Sequence, residues 1–387
     1  MIKKKIVFCG HGNINFHLSR FDLFYLCNFF QIIYFDCSNI IYSKKVIYSN
    51  LQKEKKKNKI YRIAVTNIKS EKDFIIKLNK IKPDFILDGL QNNFTKNLKK
   101  TIDFKFNHII FNDGLVNWNR VYFSIFSYNN LKEKVVSIKY FLNYLFKLLS
   151  LNNKKYIYDI GFFAGEDSKK QLNFKQTKQV FWIGSEDYYK NNLKKSIKIE
   201  KKYITYIDSN FFLSPELEFA SNSFNINFNN LKNHFRKSFE MLEKQLNLKV
   251  VVASHPNPKL IKRFDEEKLY ARKIYHNKTV ELIKKSKIVI TDFSTAINLA
   301  VLNYKPIIII YNNELKALKW HNNMLANYQL LNCNIFNSDQ NNENFKINCA
   351  VNRKKYNKFI KLFNYNLNSH SKYKTAGFVK KYFKNEK

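Results

Sequence analysis

Glycine, proline and cysteine are scarce in this sequence of 387 residues, which has 8 Gly, 5 Pro and 5 Cys. Such low glycine and proline contents exclude collagen-like chains, Gly/Ser linkers and Pro-rich low-complexity segments. The cysteines form no Cys-x-x-Cys pair and no metal-ligand spacing, so we expect the reduced, buried thiols of a cytoplasmic protein. No uninterrupted apolar run reaches about 18 residues, and a membrane-spanning helix is therefore not expected.

Acidic residues are also few, because 30 Asp and Glu face 68 Lys and Arg, which gives a formal net charge of +38. Lysine is abundant along the whole chain together with Asn, Ile, Phe and Tyr, which is the composition that an AT-rich coding sequence imposes. An anionic partner is the alternative explanation for the lysine excess. The basic residues are not gathered on one element, and no zinc-finger, helix-turn-helix or RNP motif accompanies them, which argues against nucleic acid. An anionic membrane surface or a phosphorylated substrate fits the charge.

Short apolar runs alternate with helical patterns along the chain. The first run follows a basic start but breaks at Gly10, which predicts a strand rather than a signal peptide. The segment Glu71–Lys82 places apolar side chains on one helical face. This alternation predicts an α/β protein with parallel, doubly wound sheets. The predicted strands are Lys5–Gly10, Ile32–Asp36, Arg62–Val65, Asp84–Gly89, His108–Asp113, Tyr203–Asp208, Lys249–Ser254, Lys287–Thr291 and Pro306–Tyr311.

The two halves of the chain differ in composition, which predicts two domains. Seven of the eight glycines precede residue 185, and four of the five prolines follow residue 214. We expect a first Rossmann-like domain over residues 1–190, a basic linker over 191–202 and a second Rossmann-like domain over 203–350. A C-terminal helix and a basic tail are expected over 351–387.

The strongest motif is the strand–loop–helix unit from Lys287 to Asn298. The strand is followed by Asp292, and Ser294 and Thr295 are predicted to open a helix. The N-terminus of a helix offers unpaired N–H donors and a positive dipole end, which suit a phosphate. The alternative is that Ser294 only caps its helix.

A second motif, Ser254-His255-Pro256, lies at the end of the predicted central strand Lys249–Ser254. His255 can donate to a phosphate oxygen or exchange a proton near neutral pH, although a structural histidine is the alternative. Both motifs lie at the carboxyl ends of strands, where open α/β sheets bind ligands. Between them, Glu281 in the first turn of a short helix either complements the helix dipole or accepts the hydroxyls of a nucleotide ribose.

These motifs resemble GT-B glycosyltransferases of bacterial capsule and O-antigen assembly, most closely the CMP-sugar-dependent Kdo transferases and the sialyl- and polysialyltransferases. The resemblance covers residues 203–332, and the first half matches in architecture. It implies two doubly wound domains facing across a cleft, the first for the acceptor and the second for the nucleotide sugar. It also implies that His255, Pro256, Ser294 and Thr295 hold the nucleotide phosphate of the donor. The donor that the resemblance implies is a CMP-linked sugar, which is a co-substrate, with no cofactor and no metal.

Catalysis requires a group that deprotonates the acceptor hydroxyl. Glu166, in a loop after an aromatic strand, is a candidate base or sugar ligand, with a simply solvated loop as the alternative. Asp208, at the end of a predicted strand, is a candidate nucleophile or base, beside His255. His11 and Asn13, after the first strand, are candidate acceptor ligands. Asp187 is a weaker candidate, because Gly184 replaces the histidine of a His-Ser-x-Asp-Tyr pattern in similar sequences.

The segment Lys132–Leu149 is basic and amphipathic, which fits either a helix in an anionic membrane interface or a buried helix between domains. We therefore expect a cytoplasmic glycosyltransferase, associated with the inner face of the membrane, that extends a surface polysaccharide or a lipid-linked glycan. A transferase of CDP-glycerol or CDP-ribitol type and a non-catalytic nucleotide- or glycan-binding protein of the same pathway are the alternatives.

Overall fold

The chain divides into two compact units in a computed structural model. The first unit comprises residues 1–115, 123–186 and 362–387, and the second comprises 116–122 and 187–361. Most of the predicted linker, 191–202, lies outside the described residues. The structure describes residues 3–12, 14–18, 20–41, 63–112, 156–192, 202–209, 228–255, 269–292, 294–312, 331–340, 345–364 and 373–383.

The first unit is built on a seven-stranded, entirely parallel sheet with the order β3-β2-β1-β4-β5-β6-β7. The order reverses between β1 and β4, so their carboxyl ends form a topological switch point. The strands are β1 (Lys5–Gly10), β2 (Gln31–Asp36), β3 (Ala64–Asn67), β4 (Phe85–Asp88), β5 (Asn107–Asn112), β6 (Tyr158–Ala164) and β7 (Thr177–Ile183).

Short helices connect these strands, and a side-chain cap and one apolar face stabilise the longest of them. Helix α4 begins after Ser70, whose hydroxyl accepts a hydrogen bond from the backbone N–H of Asp73 over 3.2 Å. Its apolar face buries Phe74 and Leu78 against the sheet. The helices are α1 (Asn15–Leu18), α2 (Leu23–Leu26), α3 (Ser38–Ile41), α4 (Glu71–Ile81), α5 (Asn93–Lys96), α6 (Leu98–Thr101) and α7 (Leu172–Lys175), with a 3₁₀ turn at Glu166–Lys170.

The second unit has a six-stranded parallel sheet with the order β10-β9-β8-β11-β12-β13. Its switch point lies between β8 and β11. The strands are β8 (Tyr203–Ile207), β9 (Lys249–Ala253), β10 (Lys273–Tyr275), β11 (Ile288–Thr291), β12 (Ile307–Tyr311) and β13 (Asn334–Asn337). The helices are α8 (Glu186–Asn191), α9 (Phe228–Leu246), α10 (Thr279–Lys285), α11 (Ile297–Leu302) and α12 (Arg353–Phe359).

The predicted α/β fold with two doubly wound parallel sheets is confirmed by the strand order of each unit. These nine predicted strands are all present, with ends that differ by at most two residues. Strand β6 corresponds to the aromatic strand expected before Glu166, and strands β7, β10 and β13 were not predicted. Strand β10 has three residues, and β13 reads Asn-Ile-Phe-Asn, so neither carries the continuous apolar run by which a buried strand is recognised.

Residues 351–387 hold more structure than the predicted helix and basic tail. Helix α12 continues into a π-type turn, Ile360–Asn364, and a last helix, α13, spans Ala376–Phe383. Phe378 of α13 is 1% exposed and belongs to the core of the first unit, where its ring lies 5.6 Å from that of Phe30 and 5.7 Å from that of Phe162. The end of the chain is thus a structural part of the first unit.

All five cysteines are free thiols, and Cys9 and Cys37 are buried. Burial raises the pKa of both of these thiols, so they remain protonated near neutral pH. Within the described ranges, no helix combines the length and the apolar character needed to cross a membrane. The predicted amphipathic segment Lys132–Leu149 lies outside the described residues.

Candidate functional site

Polar residues collect at one edge of the second sheet, where β9, β8 and β11 lie side by side. Asp208 follows β8, His255 follows β9, and Asp292 and Ser294 follow β11. Because the strands are parallel, their carboxyl ends meet at the same edge, which here includes the switch point. The structure therefore brings together three regions that the sequence assigned to one site.

Asp208 is 3% exposed, and the chain engages both oxygens of its carboxylate. The hydroxyl of Tyr270 donates to Oδ1 over 2.9 Å, and the backbone N–H of His255 donates to Oδ2 over 3.3 Å. The backbone N–H of Asp208 in turn donates to the carbonyl of Ala253, over 3.1 Å. This geometry favours a positioning role for Asp208, since the carboxylate fixes the start of the loop after β9.

His255 is half-buried beside this carboxylate. Burial lowers the pKa of its imidazole below the ordinary value, and Lys190 of α8 acts in the same direction, while Asp208 opposes both. The imidazole is therefore neutral near pH 7, with one nitrogen able to accept a proton and the other able to donate. Pro256, the next residue of the motif, lies outside the described residues.

Asp292 is a further acidic residue of this edge, and it was not predicted from the sequence as a site residue. It is fully buried, and the hydroxyl of Ser209 donates to its Oδ2 over 2.8 Å, which joins the ends of β8 and β11. Burial raises the pKa of the neighbouring Tyr206, and Asp292 adds to the effect. The signal for Asp292 was present, since the residue directly follows the apolar strand.

The helix after β11 begins later than predicted. Helix α11 starts at Ile297, whereas Ser294 was expected to open it. The Ser294 hydroxyl accepts from the backbone N–H of Ala296 over 3.3 Å, and the Thr291 hydroxyl accepts from the N–H of Ser294 over 3.2 Å. Such local bonds compete with helix formation and produce a turn. Ser294 and Thr295 thus lie on a turn ahead of a six-residue helix.

Asn298, in the first turn of α11, is the least expected polar residue of this region. Its side chain is fully buried, and within the described part of the chain neither its Oδ1 nor its Nδ2 has a hydrogen-bond partner. An unsatisfied buried amide costs about 1–3 kcal/mol. No sequence rule identifies such a residue, because the cost depends on what surrounds it in the fold.

Glu281, in the first turn of α10, is 5% exposed. The Nζ of Lys278 lies 3.9 Å from its Oε1, and among the described residues this oxygen accepts no hydrogen bond. The carboxylate thus has capacity for a further donor. Both of its predicted roles, dipole complement and hydroxyl acceptor, are compatible with this position.

The other candidates from the sequence lie outside this group. His11 follows β1 in the first unit, where its carbonyl is 2.9 Å from the Nε2 of His17. Glu166 opens the 3₁₀ turn after β6, also in the first unit. Asp187 is 9% exposed in α8. Asn13 lies outside the described residues.

A metal site was not predicted for this chain. In the ranges that the structure describes, no three His, Cys, Asp or Glu side chains come together as a set of metal ligands. The polar groups at the β8–β11 edge are instead amides, hydroxyls, one imidazole and two buried carboxylates held by the chain.

No protein-family model matches the chain, and no curated protein matches it. Among solved structures, it is similar to a UDP-GlcNAc 2-epimerase from Methanocaldococcus jannaschii, with 16% identity, coverage of 95% of this chain and 94% of the other, and a TM-score of 0.43. MurG from Acinetobacter baumannii gives 10% identity, 87% and 86% coverage and a TM-score of 0.42. A glycotransferase of kitacinnamycin gives 8%, 87% of both chains and 0.47. The fold assignment follows from the strand order itself, and the candidate site from its own geometry.

Proposed function

We propose that this protein is a nucleotide-sugar-dependent glycosyltransferase that holds its donor at the β8–β11 switch point of the second unit. The observation that carries the proposal is the meeting of Asp208, His255, Asp292 and Ser294 at adjacent strand ends of one parallel sheet. Ligands of open α/β sheets bind at such an edge. The motif around these residues is the one that resembles CMP-sugar enzymes.

The donor phosphate is assigned to His255 and to the Ser294–Thr295 turn. A neutral imidazole donates one N–H, and the turn supplies hydroxyl and backbone donors close to the same edge. Among the described residues, the buried amide of Asn298 and one oxygen of Glu281 have no hydrogen-bond partner and therefore keep hydrogen-bonding capacity. A ribose, with two vicinal hydroxyls, suits the carboxylate of Glu281.

The transfer forms a bond between the acceptor oxygen and the anomeric carbon of the sugar, and it breaks the bond from that carbon to the phosphate oxygen of the donor. The nucleotide leaves with the electron pair of the broken bond. The acceptor hydroxyl loses its proton to a base, and His255 is the base that we favour because its imidazole is neutral. Asp208 positions the His255 loop, and Glu166 of the first unit is the alternative base.

The donor that we propose is CMP-linked, and the acceptor is a growing bacterial surface polysaccharide at the inner face of the membrane. The His-Pro and Ser-Thr pair supports the donor class, and the net charge of +38 fits both an anionic donor and an anionic membrane surface.

Calorimetric titration of the full-length protein with CMP, UDP and CDP tests the proposal. We expect CMP to bind, and His255→Ala and Ser294→Ala to weaken its binding at least about tenfold, as loss of a charge-assisted hydrogen bond predicts. His276→Ala is the matched control, because His276 is exposed on the turn after β10. Absence of binding by every nucleotide, or unchanged affinity in His255→Ala, contradicts the proposal.

The same titration separates the alternatives. Preference for CDP, with turnover of CDP-glycerol or CDP-ribitol, assigns the protein to polyol-phosphate transfer. Nucleotide binding without turnover of any donor indicates a non-catalytic protein, and activity that survives both Asp208→Ala and Glu166→Ala excludes those carboxylates from the reaction.

A further inference from the structure

A polar pocket of about 420 Å³ lies in the second unit, between the start of α9 and the carboxyl ends of β12 and β13. Asn312 follows β12 and Ser338 follows β13, while Asn233, His234 and Lys237 come from α9. None of these residues belongs to the β8–β11 edge. The volume falls in the range of small-molecule sites, about 300–1,000 Å³.

The floor of the pocket is fixed by hydrogen bonds. His234 is 3% exposed, and its Nδ1 lies 2.6 Å from the Oγ of Ser338. Ser338 is held in turn, since its backbone N–H donates to the carbonyl of Tyr311 over 3.0 Å. On the helix side, the hydroxyl of Ser238 donates to the carbonyl of His234 over 2.7 Å. The imidazole therefore has one orientation.

The other ring nitrogen of His234 is unused by the protein. Its Nε2 is buried and, in the described part of the chain, has no hydrogen-bond partner. A buried polar atom of this kind costs about 1–3 kcal/mol unless something satisfies it.

The charge of the lining does not favour a strongly ionic ligand. Burial lowers the pKa of His234 to about 4, so the ring is neutral at pH 7. On the exposed rim, Lys237 contributes one positive charge and Asp339 one negative charge. The formal charges of the lining therefore cancel, which suits a neutral ligand better than a phosphate.

Every described residue that lines the pocket carries a polar side chain, and asparagine recurs among them. Amide groups both donate and accept, as sugar hydroxyls do, whereas a nucleobase would need an apolar or aromatic face. We propose that this pocket binds a neutral sugar unit. That the unit belongs to the growing glycan rests on the proposed function; the affinity for sugar does not.

The location supports a site separate from the nucleotide. Neighbouring strands lie about 4.8 Å apart, so the β12–β13 ends are about 10 Å along the sheet edge from the β8–β11 switch point. A sugar held here is on the same edge as the donor nucleotide without occupying its place.

Saturation-transfer NMR with the full-length protein and free glucose, galactose and N-acetylglucosamine tests the proposal. We expect at least one of these sugars to bind, and Asn233→Leu and Lys237→Met, both on the exposed rim, to weaken binding about tenfold each. Lys244→Met, exposed on the same helix but away from this pocket, is the control and should leave binding unchanged.

His234→Phe, which keeps a ring of similar size but loses the hydrogen bond to Ser338, should weaken sugar binding; the rim variants decide the question if this variant does not fold. The bound sugar could be a unit of the glycan or the sugar of the donor, and repeating the NMR experiment with saturating CMP and with a saturating CMP-sugar distinguishes them. Sugar binding that neither compound changes indicates a glycan unit. Displacement by the CMP-sugar but not by CMP indicates the sugar of the donor. Absence of binding by all three sugars, or binding that Asn233→Leu and Lys237→Met leave intact, overturns the proposal even if nucleotide binding is found.

Discussion

Tyr270 donates its phenolic hydrogen to Asp208 Oδ1 over 2.9 Å, although 62 residues separate the two along the chain. Both side chains are buried, so this bond satisfies a carboxylate that water barely reaches. Asp208 also accepts a hydrogen bond from the backbone N–H of His255, so Tyr270 supports the His255 loop indirectly, through Asp208.

Tyr270→Phe should lower the free energy of unfolding by about 1–3 kcal/mol, because it removes one hydrogen-bond donor from a buried carboxylate. The ring contacts of Tyr270 with Tyr206 and Phe235 are retained by phenylalanine. Urea denaturation measures the change. Tyr156→Phe is the control, since Tyr156 is 43% exposed and should lose less than about 0.5 kcal/mol. Equal effects of the two variants would remove the special status of Tyr270.

Acid should destabilise the first unit through His17. Burial lowers the pKa of His17 to about 4, while the unfolded chain takes up a proton near about pH 6.5. Between these values the unfolded state binds more protons than the folded state, so stability falls as the pH decreases. The loss is on the order of 2–3 kcal/mol by pH 4.

His17→Gln tests this expectation by urea denaturation across the same pH range. The variant should flatten the fall in stability between about pH 6.5 and 4. Its difference from the wild type at about pH 8, where a histidine is neutral in both states, gives the packing cost separately. A variant with the same pH profile as the wild type would exclude His17 as the cause.

Gly165→Ala should destabilise the protein by several kcal/mol. Gly165 has φ of +71°, and an added Cβ would lie 2.7 Å from the backbone of both Leu362 and Phe363, which cannot move as a side chain does. Two matched variants separate these causes. Gly12→Ala, with φ of +72° and open space, should cost only the backbone strain, about 1 kcal/mol. Gly377→Ala, in helix α13 with its nearest neighbour at 3.5 Å, should be neutral or stabilising. Thermal denaturation ranks the three.

Phe378→Ala should cost about 3–5 kcal/mol, because it opens a cavity in the aromatic core of the first unit. Native-state hydrogen exchange localises the effect, and amides of β4 and β6 should lose protection before those of β9 and β11. The exposed Tyr373→Ala, which precedes the same helix, is the control. Uniform loss of protection across both sheets would show that the helix does not act on the first unit alone.

Continuous apolar runs explain which strands the sequence could predict. The runs of β9 and β12 consist of β-branched residues buried on both faces, the pattern of a central parallel strand. Strand β13 is polar at both ends and exists because β12 offers it a partner. Pairing of this kind depends on tertiary structure and leaves little trace in a window of the sequence.

The candidate site divides in the same way. Asp208, His255 and Ser294 were predictable because each follows a recognisable strand, and parallel strand ends converge. Tyr270 and Asn298 were not predictable. Tyr270 matters because of a hydrogen bond to Asp208, which is distant in sequence, and Asn298 because its buried amide lacks a partner among the described residues. The turn at Ser294 also escaped prediction, because a serine that caps a helix and one that delays it have the same local sequence.

Helix α13 bears on the order in which this protein can be made. Residues 376–383 are synthesised after the whole of the second unit, yet Phe378 completes the core of the first. Domains usually fold in the order of synthesis, from the N-terminus. Here the first unit cannot complete its aromatic core until helix α13 has been synthesised, whereas all residues of the second unit are available earlier. The later-made unit is therefore the one that can finish folding first.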